Sequence, residues 1–278
     1  MTVITNIIGR DFTVHVCDSL RSITLSNNDG IPEQTVGDFG PKTVKVSQFH
    51  GAISVFGLMK WFDWEIIPLL EAEAQRAVQN NLKSAAHFAS RIHKLIQPLY
   101  QDFTLTKSLG LNFTAYELID DMWVPELFYI SNFRGIRTNP VIYAGGPMIA
   151  HQRMTFFRLS NETRYDFQNH GKKENRLAVA ESLEQGAVYL FQNGDPSLFE
   201  LDHIPHLIAL ESEIPQNLPP AEFCARLAMC KVQSIINLQL NREIAERKVG
   251  GVCHCLIIRP NTIELFDSPT GLEHFAGA

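Results

Sequence analysis

A basic excess is missing from this sequence: 24 Lys and Arg stand against 30 Asp and Glu, a formal charge of −6. Nothing in that balance would neutralise a phosphate backbone, so no general affinity for nucleic acid is expected. Cysteine is scarce, at five residues, and only Cys253-His254-Cys255 brings two of them close together. An odd, scattered set suggests reduced thiols and a cytoplasmic protein rather than a disulfide framework. No apolar run approaches the roughly 20 residues that span a bilayer. The start MTVITNIIGRDF has neither a basic n-region nor a long apolar h-region, so neither a membrane partner nor a signal peptide is expected. Internal repeats and low-complexity tracts are missing too.

What is present is a core. Of 278 residues, 45% are hydrophobic, enough for one large domain or two small ones. No linker is long enough to divide the chain, which is therefore read as a single domain over 1–278. TVITNII and FTVHVCDS flank a turn at GRD and predict a hairpin. Residues 19–41 are rich in Gly, Asn, Asp and Pro and predict a loop with at most one short strand. KTVKVSQF and AISVFG predict a second strand pair joined at His50-Gly51. Helical spacing then runs through Leu58, Trp61, Phe62, Ile66, Leu69 and Leu70, and again through about 82–99.

The segment 101–139 shows no clean period and stands as an unassigned insertion. Strands are predicted at 140–146, 154–160 and 187–195. The longest predicted helix, AEFCARLAMCKVQSIINLQLNREIAER, stops at Val249-Gly250-Gly251, where glycine terminates helices readily. VCHCLIIR and TIELFD close the chain as a hairpin. Strand runs and helix runs segregate, which predicts an α+β fold of two antiparallel sheets between helix layers.

Several clusters carry less chemistry than they suggest. On a strand, Cys253 and Cys255 share one face while His254 points away, and no second pair completes a tetrahedral metal site. His203 and His206 read as a solvated turn. Gly145-Gly146-Pro147 opens no Lys-Ser/Thr helix, so a phosphate loop is unsupported. Trp61, Phe62 and Trp64, read on a helix, cannot all face one sheet, and a homo-oligomer covering at least one of the indoles is expected.

One acid asks for a partner. FTVHVCDSL reads as an apolar strand until Asp18 and Ser19, and a buried Asp is rare without a cation or donor. Taken alone, Asp18 is an ordinary strand-ending turn residue. The strand-turn-strand opening with Thr2 near its head, the strand ending in Asp18-Ser19 and a later strand-borne lysine together resemble proteasome β subunits. The long helix running into Val249-Gly250-Gly251 and the final hairpin resemble the same family. The family belongs to the N-terminal nucleophile (Ntn) hydrolases.

That resemblance implies a four-layer αββα sandwich. It also implies a threonine-type peptidase or amidohydrolase that cleaves peptide or other amide bonds through an acyl-enzyme. A catalytically inactive, proteasome-like structural subunit is the alternative. The implied site is Thr2, freed by removal of Met1, with Asp18 and Lys45. Lys45 is preferred because KVSQF resembles the family's Lys-Val strand segment, with Lys42 as the other candidate. Gly57, in the stretch Val55–Gly57, would supply a backbone oxyanion donor. Ser19 and Glu246 would support the site, Glu246 standing near where the family often carries an Asp. No cofactor or metal is implied.

Overall fold

The computed structural model describes residues 3–9, 11–26, 32–57, 59–61, 64–101, 109–119, 122–131, 155–159, 189–193, 218–240 and 249–266. The opening hairpin forms as its β-branched pattern requires. Strand β1 (Ile4–Ile8) pairs antiparallel with β2 (Thr13–Asp18), Ile4 lying opposite Cys17. β2 pairs on its other edge with β13 (Cys253–Arg259), which turns at Pro260-Asn261 into β14 (Thr262–Leu265). β12 (Tyr189–Asn193) borders β1, giving the order β12-β1-β2-β13-β14.

A second antiparallel sheet runs β11-β10-β9-β6-β5. Its strands are β5 (Thr43–Val46), β6 (Gly51–Gly57), β9 (Leu109–Ile119), β10 (Met122–Ser131) and β11 (Thr155–Leu159). The chain is thus α+β, with two antiparallel sheets and helices, an arrangement compatible with a sandwich.

Helix α1 (Ile66–Gln79) carries Pro68 in its first turn, where no intrahelical donor is needed. It ends where Asn81 takes a positive φ and the N–H of Leu82 donates to the Ala77 carbonyl. Helix α2 (Ala85–Gln101) follows. Ile66, Leu70 and Ala77 of α1 and Phe88 and Ile92 of α2 form one core with Val44, Ile53, Leu111, Phe113 and Phe128. Buried Glu73 of α1 is bonded by Arg76 of the same helix and ties the two helices through Arg91 of α2. Helix α3 (Pro220–Leu240) sets Ala225, Ala228, Val232 and Ile236 against Val3, Ile7, Val14, Val16 and Ile257 of the first sheet. Ile4, Ile8 and Cys17 meet Phe56, Leu127 and Tyr129, and Leu256 and Ile258 meet Ala52 and Tyr116. These contacts join the inner faces of the two sheets. Among the described residues, no helix is long and apolar enough to cross a membrane.

Three sequence expectations change. Residues 19–41 hold two strands rather than a loop, β3 (Leu20–Ser26) and β4 (Pro32–Phe39), in an antiparallel ribbon with a register shift at Leu25/Ser26. Part of the unassigned 101–139 is the long β9–β10 hairpin. Every residue from Leu109 to Tyr116 is buried, and a strand covered on both faces loses the alternation that would mark it. The helical period expected from Leu58 begins only at Ile66. Before it, Trp61 pairs with Trp64 in a two-residue ribbon, β7 (Lys60–Trp61) with β8 (Trp64–Glu65). The helix-face argument for an intersubunit indole therefore does not apply. The strand predicted at 140–146 and residues 241–247 of the predicted last helix lie outside the described residues, as do His203, His206 and Gly145–Pro147.

Candidate functional site

Asp18 closes β2 at the point where the hairpin returns it beside the head of β1. Its Oδ1 accepts from the backbone N–H of Val3 at 3.1 Å and from Lys42 Nζ at 3.0 Å. Its Oδ2 accepts from Lys42 Nζ at 2.9 Å and from the Gly250 N–H at 3.2 Å. The side chains are 0% and 1% exposed, so the ion pair is fully enclosed. Three chain segments distant in sequence thus converge on one carboxylate: the start of β1, the residue before β5, and the turn after α3.

The lysine beside Asp18 is Lys42, which corrects the preference for Lys45. Lys45 lies within β5 and is exposed, while its neighbours Val44 and Val46 are buried. Lys42 stands just ahead of β5 and is buried in step with Val44 and Val46. Its carbonyl accepts from the Val55 N–H at 2.9 Å, which ties it to β6. Gly57, two residues further along, ends β6 exposed and with φ of 89°. Thr2 and Glu246 lie outside the described residues.

Ser19 organises the opposite rim. Its Oγ accepts from the Val252 N–H at 2.9 Å, its carbonyl accepts from the Gly40 N–H, and its own N–H and that of Leu20 donate to the Gly250 carbonyl. Gly251 has φ of 76°, and a Cβ there would run into Ser19 Oγ and the Phe39 ring. Both the left-handed backbone and the close approach require glycine. The Gly-Gly turn predicted as a helix stop therefore also supplies an N–H to Asp18.

Behind the pair runs a hydrogen-bonded chain that sequence reading missed. Thr43 Oγ1 lies 2.9 Å from Cys17 Sγ and 2.6 Å from Ser54 Oγ. Ser54 meets His15 Nε2, and His15 Nδ1 lies 3.1 Å from Thr114 Oγ1. Burial pushes the His15 imidazole down to about 3, so it is neutral at physiological pH. Burial likewise pushes the Cys17 thiol up to about 11, against a lowering bond from Thr43. Cys17 is thereby excluded as a thiolate nucleophile near neutrality. The available signal was the polar set Thr13, His15 and Cys17 at every second position of an otherwise apolar strand. Cys253 and Cys255 share the α3 side of β13, and among the described residues no group of three or more His, Cys, Asp or Glu could hold a metal ion.

The fold class is α+β, and the site is a buried acid–base pair held at the meeting of three segments. No protein-family model matches the chain, and the search of curated proteins found no match.

Proposed function

We propose that this chain is an N-terminal nucleophile hydrolase of the proteasome β-subunit type, its two sheets and flanking helices forming a four-layer αββα sandwich. In this reading Thr2 Oγ1 attacks the carbonyl carbon of a peptide or other amide bond, and the free α-amine of Thr2 takes the hydroxyl proton. The C–N bond breaks as the leaving amine receives that proton, and water then hydrolyses the acyl-enzyme ester. Lys42 takes the role that the sequence resemblance had given to Lys45: its charge favours the alkoxide form of a neighbouring hydroxyl, and Asp18 orients it. Gly57 offers a backbone N–H toward the developing oxyanion, and Ser19 holds the Gly250-Gly251 turn. No cofactor is required. A homo-oligomeric assembly and a cytoplasmic setting accompany the reading.

The observation that carries it is the enclosed Asp18–Lys42 pair with Asp18 also bonded to the Val3 N–H. The Val3 nitrogen is covalently bonded to the carbonyl carbon of Thr2, so the pair is anchored one residue from the proposed nucleophile. The chemistry requires a chain cut immediately before Thr2. Incubation with an epoxyketone or β-lactone probe, followed by mapping of the adduct, tests it. An adduct on Thr2 of a chain that starts at Thr2, lost in Lys42→Met, is expected. A chain that starts at Thr2 and takes no adduct leaves the inactive structural subunit as the reading.

A further inference from the structure

Two carboxamides between the sheets stand outside this site. Asn6 lies on β1 between Ile4 and Ile8, which pack across the interface among Phe56, Leu127 and Tyr129. Asn112 lies on β9, with Ser54 of β6 and Tyr129 of β10 as its register partners. Both asparagines are 0% exposed, and in each the nitrogen and the oxygen are buried without a hydrogen-bond partner.

Their placement is not scattered. Asn6 is the register partner of His15 across β1 and β2. Asn112 is the register partner of Ser54 and sits two residues from Thr114, and Ser54 and Thr114 are the two hydroxyl residues that hold the His15 ring. Side chains at i and i+2 of a strand, and at paired positions of neighbouring strands, share a face. One carboxamide from each sheet therefore flanks the same imidazole.

We propose that Asn6 and Asn112 hold internal water between the two sheets, with at least one molecule bonded to each carboxamide. A buried amide without partners forfeits the hydration it had in the unfolded chain, and ordered water is the common way to restore it. Chemistry selects water over other occupants. Carboxamides carry no charge to hold a bare cation, and both ring nitrogens of His15 are already engaged by hydroxyls. An organic ligand would need a path inward, whereas both residues are sealed on every side. A water molecule takes two to four polar partners, and two amides beside a hydroxyl-lined imidazole offer that set.

A high-resolution crystal structure of the whole chain tests this. A compact solvent peak within about 3.2 Å of a carboxamide atom of Asn6, and another or the same peak so placed at Asn112, is the expected result. Either carboxamide lacking such a peak, or density too large for water, would overturn the proposal. Water-oxygen magnetic relaxation dispersion gives a solution counterpart. The long-residence signal should be lost in part in the Asn6→Leu, Asn112→Leu double variant, and an unchanged amplitude would count against it. Should that variant fail to fold, the map of the parent decides alone.

Discussion

Lys42 Nζ lies 3.0 and 2.9 Å from the two oxygens of Asp18, and neither side chain reaches solvent. Asp18 adds the backbone N–H groups of Val3 and Gly250, so its acceptor capacity is well used. Such a pair gains little over an apolar replacement, yet losing one member strands a buried charge. Asp18→Asn or Lys42→Met alone should each lower unfolding free energy by about 3–5 kcal/mol. The Asp18→Asn, Lys42→Met double variant should recover part of that loss, and Lys45→Ala should stay within about 0.5 kcal/mol of the parent. Urea titrations of the four variants and the parent check it. A Lys45→Ala protein that falls as far as Lys42→Met would mean the wrong lysine has been paired.

Thr2→Ala should abolish labelling by the β-lactone probe and hydrolysis of fluorogenic peptides while leaving the thermal transition within error of the parent. Intact-mass measurement gives the chain start in the same samples. Active preparations that retain Met1 throughout would exclude a mechanism that depends on the Thr2 amine.

His15 should make the protein acid-labile. Its folded pKa of about 3 lies below the ordinary 6.5, so between these values the unfolded chain binds the proton and the folded chain does not. Stability from this group is therefore complete above about pH 6.5 and falls as pH drops toward 3, by up to about 1.4 kcal/mol per pH unit. At pH 4.5 the loss is roughly 2–3 kcal/mol. His15→Gln disturbs the bonds to Ser54 and Thr114, so the slope of stability against pH, rather than its absolute level, is the quantity to compare. That slope should be shallower in the variant, and identical slopes would show that His15 is protonated while folded.

Gly251→Ala should destabilise by about 2 kcal/mol or more. The left-handed backbone alone costs an L-residue roughly 1–2 kcal/mol, and the new methyl must also displace Ser19 Oγ and the Phe39 ring. Because Ser19 holds the Val252 N–H and the same turn supplies the Gly250 N–H to Asp18, probe labelling should fall too. Gly40, where the space for a Cβ is taken by the flexible Arg21 side chain, is the control. Gly40→Ala should cost clearly less, and equal losses at both glycines would remove the special role of the turn.

Local elements whose pattern is complete within a few residues were legible from the chain alone. The β1–β2 hairpin, α2 and the closing hairpin could all be read because one face or one turn announces each. Asp18 at the end of an apolar strand could be read in the same way, as an acid in need of a cation. Only the tertiary structure decided which cation. Alternation carried one residue ahead of β5 sets Lys42 in step with buried Val44 and Val46 and leaves Lys45 exposed, while the meeting with Asp18, 24 residues away, is fixed by the fold. The β9–β10 hairpin escaped notice because helices cover one of its faces and a second sheet the other, leaving every position from Leu109 to Tyr116 buried, with no exposed face to set a period. The spacing of Thr13, His15 and Cys17 signals a polar face but not its partners, since the His15 bonds run from β2 to β6 and β9, to residues 39 and 99 positions away. Periodicity records whether a residue faces water, and where no face meets water it records nothing, so contacts between buried faces belong to the tertiary fold alone.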